Sequence, residues 1–192
     1  MTCFRRLPPG NPLPITLAII GAGPLGRWLA LAAARAGYRV LLEDVMPVNL
    51  RHAQEALRLE LSAEALPAVT FVQTVEDAVR EADLAIDCVP DELESKLEIL
   101  WLLDRMAPPR TILATPTSHL SIKDLAGCTY RADRCVAIAS SAFEFTSESA
   151  THPAGAALLL RKTDHTASDT LRVVTDFWQS LGFAPVWESD PS

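Results

Sequence analysis

The sequence lacks the features of a membrane protein and of a nucleic-acid-binding protein. Its longest apolar stretches are interrupted by charge or glycine well before they reach the length of a membrane span. The 17 lysines and arginines are scattered and are outnumbered by 24 acidic residues, which disfavours nucleic acid or an acidic membrane surface as a partner. The chain also has no internal repeat and no low-complexity tract.

The four cysteines lack the spacing of metal ligands, so we predict no metal site. They are Cys3, Cys88, Cys128 and Cys135. With no secretory signal pattern in the sequence, we expect reduced thiols and a cytoplasmic location. Cys88 and Cys135 lie inside apolar runs, so we expect both in the core rather than at a reactive site.

The N-terminal segment, residues 1–14, differs in composition from the rest of the chain. It contains two arginines, four prolines and no acidic residue. We predict a disordered or draped segment, with the remnant of a targeting segment as the alternative. We predict one domain over residues 15–189 and expect no second one.

A glycine motif is the most informative feature that is present. An apolar run ends at Ile20 and leads into the pattern GxGxxG, whose glycines are Gly21, Gly23 and Gly26. The first allows a tight turn, the second lets the backbone approach a pyrophosphate, and the third lets the outgoing helix pack on the strand. Pro24 falls at the first helical position, where the missing N–H costs nothing. A glycine turn in another kind of βαβ unit is the alternative.

An acidic residue follows the next predicted strand. The strand covers Arg39 to Glu43 and is followed by Asp44. This is close to the spacing expected of an acid that binds the 2′-hydroxyl of an adenosine ribose. Free N–H groups at the start of the outgoing helix would form an anion site. The motif and the acid together predict dinucleotide binding.

Strand and helix patterns alternate five or six times along the chain. Predicted strands after the glycine turn cover 39–43, 69–72, 84–89, 111–114, 135–139, 156–160 and 184–187. Predicted helices cover about 47–65, 74–81, 91–106, 121–125 and 166–181. The segment 140–155 is rich in serine and threonine and is predicted to be a loop. This alternation predicts an α/β fold with a doubly wound, mostly parallel sheet and a ligand at the carboxyl ends of the strands.

Four further stretches accompany the glycine motif, at 30–44, 85–93, 107–114 and 117–122. With them, the sequence resembles the NAD-binding domain of the 3-hydroxyacyl-CoA dehydrogenase family over about residues 15–189. The resemblance implies a Rossmann-type domain, NAD rather than NADP as cofactor, and an acyl-CoA type of small molecule as substrate. It also implies that this chain lacks the C-terminal helical domain that covers acyl-CoA and forms the dimer interface in relatives.

The resemblance assigns cofactor contacts residue by residue. Lys96 matches a helical lysine that reaches the cofactor in relatives; without the resemblance, a solvated surface lysine would be the simpler interpretation. Thr117 and Ser118 match a Thr-Ser pair near the nicotinamide and the substrate hydroxyl. The full set implied to bind the cofactor is Gly21, Ala22, Gly23, Pro24, Leu25, Gly26, Asp44, Pro90, Asp91, Lys96 and Thr117.

The positions of the family's catalytic dyad depart from the pattern. Relatives use a histidine as general base, because hydride removal requires a group that takes the hydroxyl proton near neutral pH. That position is Ala139 in this sequence, and the position of the glutamate that orients the histidine is Leu159. Glu144 or Glu148 could supply a carboxylate instead, although each is more simply interpreted as a solvated loop acid.

Two functions follow from these departures. The first is an NAD-dependent oxidoreductase with a rearranged site, in which Ser118 and His119 are the candidate catalytic residues; a polar loop histidine without a role is the alternative. The second is a non-catalytic NAD(H)-binding module, serving as a redox sensor or beside a separate helical domain. A degenerate family member, whose fold persists without function, is a third hypothesis. We also expect self-association through apolar surface that the helical domain would cover.

Overall fold

Eight strands form one sheet in the part of the chain that the structure, a computed structural model, describes, residues 16–139 and 155–190. The strands are β1 (Thr16–Ile20), β2 (Arg39–Glu43), β3 (Val69–Val72), β4 (Leu84–Asp87), β5 (Ile112–Thr117), β6 (Cys135–Ala139), β7 (Ala157–Lys162) and β8 (Ala184–Ser189). Their order in the sheet is β3-β2-β1-β4-β5-β6-β7-β8. All neighbouring strands are parallel except β6 and β7, which are antiparallel. The predicted doubly wound, mostly parallel sheet is confirmed.

Six α-helices of the described residues cover the two faces of the sheet. They are α1 (Pro24–Arg35), α2 (Pro47–Glu60), α3 (Val75–Val79), α4 (Leu93–Met106), α5 (Ile122–Ala126) and α6 (Ser168–Ser180). Two short 3₁₀ turns lie at Leu66–Ala68 and Ala132–Arg134. No helix in the described ranges is long and apolar enough to cross a membrane.

The core has two layers, one on each face of the sheet. Strand side chains that alternate along the chain, such as Leu17 and Ala18, belong to different layers. One layer packs against α1, α2 and α6, and the other packs against α3, α4 and α5. Burial on both faces explains why the strands are almost continuously apolar rather than alternating. We call these two sides the α1 face and the α4 face.

Local sequence signals explain where several elements begin and end. Thr74 caps α3 by accepting the amide of Asp77 at 3.2 Å, which is the N-cap contact of a capping box. The backbone of Gly182, just after α6, has φ of +93°, the left-handed conformation expected of a residue that follows a helix. Cys135 is buried as predicted, while Cys88 is half-buried.

Several predicted boundaries were wrong by two residues or more, and three of them have a local structural cause. Helix α2 ends at Glu60 instead of residue 65, because Leu61 turns to an extended conformation and buries its side chain in the core. Helix α4 begins two residues later than predicted, because Glu92 is also extended. Strand β5 continues to Thr117, which pairs with Ala139 of β6. The predicted N-terminal segment 1–14 and most of the predicted loop, 140–154, lie outside the described residues.

Candidate functional site

The loops that follow β1, β2 and β4 meet at the carboxyl edge of the sheet. The amide of Gly21 donates to the carbonyl of Glu43 at 2.8 Å, and the amide of Cys88 donates to the carbonyl of Ile20 at 2.7 Å. The strand order changes direction between β1 and β4, so this edge contains the crevice in which open α/β sheets bind ligands.

The glycine turn has the geometry that its sequence predicts. Gly21 has φ of +105°, a conformation that side chains disfavour. A Cβ atom on Gly26 would lie 1.9 Å from the carbonyl oxygen of Gly21, so only glycine allows α1 to start this close to β1. A Cβ atom on Gly23 would meet nothing within 4 Å. The space above Gly23 is therefore open to a ligand.

The start of α1 can hold an anion. Gly23 is the N-cap and makes no side-chain cap, and Pro24 occupies the first turn. The first amide groups of a helix have no intrahelical acceptors, and the helix dipole adds positive potential there. Together with the open space above Gly23, this start fits the diphosphate of a dinucleotide.

Asp44 lies beside this turn and is only 8% exposed. Its carboxylate accepts the amides of Ala22 and Met46, each at 2.8 Å. The side-chain amide of Asn49 donates to both carboxylate oxygens at 3.1 Å. Asp44 is thus placed between the glycine turn and the start of α2, where the prediction requires the ribose acid. Contact with a ribose stays a prediction.

Glu43 is a second buried acid at the end of β2, with 5% exposure. Burial, and then the charge of Asp44, raise the pKa of Glu43 from 4.5 to about 7. Along β2 it alternates with Leu42, which packs on the α1 face, so Glu43 points to the α4 face. The sequence pattern predicts Glu43 to be in the strand and indicates no role for it.

Lys96 is buried, at 1% exposure, and pairs with Asp87 at 2.5 Å. The surface-lysine interpretation was therefore wrong, because α4 places this side chain against the end of β4. Burial raises the pKa of the Asp87 carboxyl, and the charge of Lys96 opposes that rise. Whether Lys96 also reaches a cofactor stays a prediction.

The loops after β4 and β5 are joined by a polar cluster. One oxygen of Asp91, Oδ2, accepts both the amide and the hydroxyl of Ser118 at 2.8 Å. His119 Nδ1 lies 3.3 Å from Ser118 Oγ and 3.5 Å from Asp91 Oδ2. Burial would raise the pKa of Asp91, but hydrogen bonds from Thr117 and Ser118 hold it below its ordinary value. Ser118 and His119 are exposed at this edge, whereas Thr117 is buried.

The two positions assigned to the family's dyad lie on neighbouring strands. Ala139 ends β6, and β6 pairs with β7 through Ala137 opposite Arg161 and Ile138 opposite Leu160. Continuing that register by one residue places Ala139 opposite Leu159. Directly opposed residues in antiparallel strands share a face. The positions are thus adjacent, and both side chains are apolar.

A comparison with known families decides the classification. Residues 16–190 match the family model described as "3-hydroxyacyl-CoA dehydrogenase, NAD binding domain". The chain belongs to the 3-hydroxyacyl-CoA dehydrogenase family. The predicted resemblance and the predicted cofactor, NAD, are both confirmed.

Several family relatives show the extent of the likeness. Hydroxyacyl-coenzyme A dehydrogenase, mitochondrial, of Homo sapiens is 30% identical over 190 residues, which cover 88% of this chain and 57% of that protein. A probable 3-hydroxybutyryl-CoA dehydrogenase of Bacillus subtilis is 32% identical over 133 residues, covering 62% of this chain and 46% of that protein. The crystal structure of 3-hydroxybutyryl-CoA dehydrogenase from Escherichia coli K12 has a TM-score of 0.75 at 27% identity, covering 91% of this chain and 38% of that one. The chain spans about half the length of the relatives it matches.

The structure brings most of the predicted site residues of this family member to one edge of the sheet. The glycine turn, Asp44 and the Asp91 cluster all lie there, and exposed Pro90 stands between β4 and Asp91. Among the described residues, no group of three His, Cys, Asp or Glu side chains is placed to hold a metal ion. Glu144 and Glu148 lie outside these residues.

The sequence did not predict the contacts that Asn49 and Asp87 make at the candidate site. Asn49, five residues after Asp44, was not connected with it, although both positions flank the start of a predicted helix. Asp87 was treated as part of an apolar strand. A charged residue inside an apolar run was an available signal, since buried charges require a partner.

Proposed function

We propose that this chain is an NAD(H)-binding module that does not oxidise a 3-hydroxyacyl-CoA, because the positions of the family's dyad carry no base. The observation that carries the proposal is the pair Ala139 and Leu159, whose positions adjoin on β6 and β7. A methyl and an isobutyl group can neither take a proton nor orient a base. The cradle formed by the glycine turn and Asp44 supports binding of the cofactor.

Some residues of the chain are placed to bind the cofactor, whereas the position of the family's general base carries no group that can accept a proton. The amides at the start of α1 would hold the diphosphate, and Asp44 would hold the adenosine ribose. Bound NAD would supply a hydride acceptor. At the end of β6, Ala139 offers no base to accompany hydride loss. A redox-sensing subunit, or a domain completed by a separate helical partner, is consistent with this division.

The test combines cofactor binding with turnover. NADH is titrated calorimetrically into the chain, and NAD is then supplied with short and long 3-hydroxyacyl-CoA thioesters while NADH formation is followed. Micromolar NADH binding without turnover supports the proposal. NADH formation at any chain length overturns it, and absence of binding overturns it as well.

A second candidate is an oxidoreductase in which His119 is the general base. The favouring observation is the chain of contacts from His119 through Ser118 to Asp91. If Nδ1–H donates to the serine hydroxyl and that hydroxyl donates to Asp91, His119 Nε2 is left as an acceptor. Nε2 could then take a hydroxyl proton from a substrate at the exposed edge. Ser118 and Asp91 would position the ring.

His119→Ala separates the two candidates. If NADH forms with the parent chain, this substitution should abolish its formation and leave NADH affinity unchanged. His52→Ala is the matched control, because His52 is exposed on α2. Turnover that survives His119→Ala would eliminate His119 as the base.

Two further partners are proposed, an acyl-CoA-type molecule and a second copy of this chain. An acyl-CoA-type molecule is implied only by the relatives. For self-association, the half-exposed side chain of Trp101 on α4 (49%) is the candidate contact. Analytical ultracentrifugation should show concentration-dependent dimers, and the substitution Trp101→Glu should shift the population to monomers. A cytoplasmic location remains a prediction from the sequence.

A further inference from the structure

Asn49 contacts Asp44, the acid expected to bind the adenosine ribose, and has no assigned role. It is half-buried in the first turn of α2. Its Nδ2 atom lies 3.1 Å from each oxygen of the Asp44 carboxylate. Because a carboxylate only accepts hydrogen bonds, the nitrogen of the amide must face it. The orientation of the Asn49 amide is therefore determined by its partner.

The carboxylate is held from three parts of the chain. Ala22 of the glycine turn donates to one oxygen, and Met46 of the β2–α2 connection donates to the other. Asn49 of α2 bridges both oxygens. The torsion that rotates a carboxylate is broad and has no sharp preference of its own. The three donors together therefore define one plane for the carboxylate at the edge of the cradle.

We propose that Asn49 is a positioning residue for cofactor recognition, which fixes the Asp44 carboxylate in the orientation that binds the adenosine 2′-hydroxyl. The inference rests on the proposed NAD(H) binding at the glycine turn. Asn49 acts through Asp44 and makes no contact of its own with the cofactor. Without the amide, the two backbone donors remain, but each holds a single oxygen. The orientation of the carboxylate is then less sharply defined, which weakens its hydrogen bond to the ribose hydroxyl.

The test compares NADH with an NADH analogue whose adenosine ribose lacks the 2′-hydroxyl. The parent chain should bind NADH more tightly than the analogue. In Asn49→Leu, which keeps the size and removes the donor, NADH should bind about five- to tenfold more weakly. Affinity for the analogue should stay unchanged, so the preference for the 2′-hydroxyl is lost. Equal weakening of both ligands would indicate a merely structural role and overturn the inference, as would an unchanged preference.

Two further variants sharpen this test. Gln54→Leu removes an amide further along the same helix and should leave the preference intact. In an Asp44→Asn background, Asn49→Leu should cause no further loss, because residues that act through one contact are not additive. A chain that binds no NADH refutes the proposed function itself. A chain that binds NADH and keeps its 2′-hydroxyl preference in Asn49→Leu refutes only the role of Asn49.

Discussion

Replacing Glu43 by glutamine should stabilise the protein at alkaline pH and leave its stability unchanged at acidic pH. In the folded chain, Glu43 is 5% exposed and lies beside Asp44. Burial, followed by the charge of Asp44, raises its pKa from 4.5 to about 7. The folded state therefore favours the protonated form more strongly than the unfolded state does. Glutamine keeps the shape of that neutral form and cannot ionise.

The sign and the size of the change in the free energy of unfolding follow from proton linkage. Between pH 4.5 and about 7, the folded chain retains a proton that the unfolded chain has released. Stability then falls as the pH rises, by about 1.4 kcal/mol for each pH unit. The shift corresponds to about 3 kcal/mol, which is lost in full above the folded pKa. Glu43→Gln removes this loss.

Urea denaturation at pH 5 and pH 8 measures the effect. The free energy of unfolding of Glu43→Gln should exceed that of the parent by less than about 1 kcal/mol at pH 5 and by about 3 kcal/mol at pH 8. Because the two proteins differ only at Glu43, the pH dependence of their difference reports the loss of its carboxyl group. Glu55→Gln, at an exposed position on α2, should show no such gain. A difference between Glu43→Gln and the parent that is the same at both pH values would refute the reasoning.

Two other predictions concern the glycine turn and the buried ion pair. Gly26→Ala should destabilise the fold by at least about 3 kcal/mol, since its Cβ would lie 1.9 Å from the Gly21 carbonyl. Gly23→Ala should keep the parent's melting temperature and lose NADH affinity, because its methyl group enters open space above the turn. Lys96→Met should cost about 3–5 kcal/mol at pH 7 in urea denaturation, because it leaves the buried Asp87 without its partner. Adding Asp87→Asn should recover part of that loss; equal stability of Lys96→Met and the parent would contradict the account.

The parts of the fold that were predictable depend on local patterns. The turn from Gly21 to Gly26 sets its own geometry through one positive φ and one close approach, so its sequence was sufficient. The acid after β2 followed from spacing along a strand and a helix. The capping pair Thr74 and Asp77 is likewise a contact within one turn.

The remaining features depend on how separate elements approach one another. The Asp87–Lys96 pair forms because α4 folds back over the end of β4, and periodicity alone cannot place a lysine on that buried side. The link from Asn49 to Asp44 depends on the angle at which α2 leaves the sheet. The cluster of Asp91 with Ser118 joins two loops whose spacing is set by the pairing of β4 and β5.

The most direct test of the central claim, that the chain binds NAD(H) and does not transfer hydride to or from an acyl-CoA, is one two-step titration. NADH is first added until the chain is saturated, and a 3-oxoacyl-CoA thioester is then added to the same solution. We predict saturable binding of one NADH per chain at micromolar concentration, with the NADH absorbance unchanged after the thioester is added. Failure to bind NADH, or oxidation of the bound NADH by the thioester, would contradict the account.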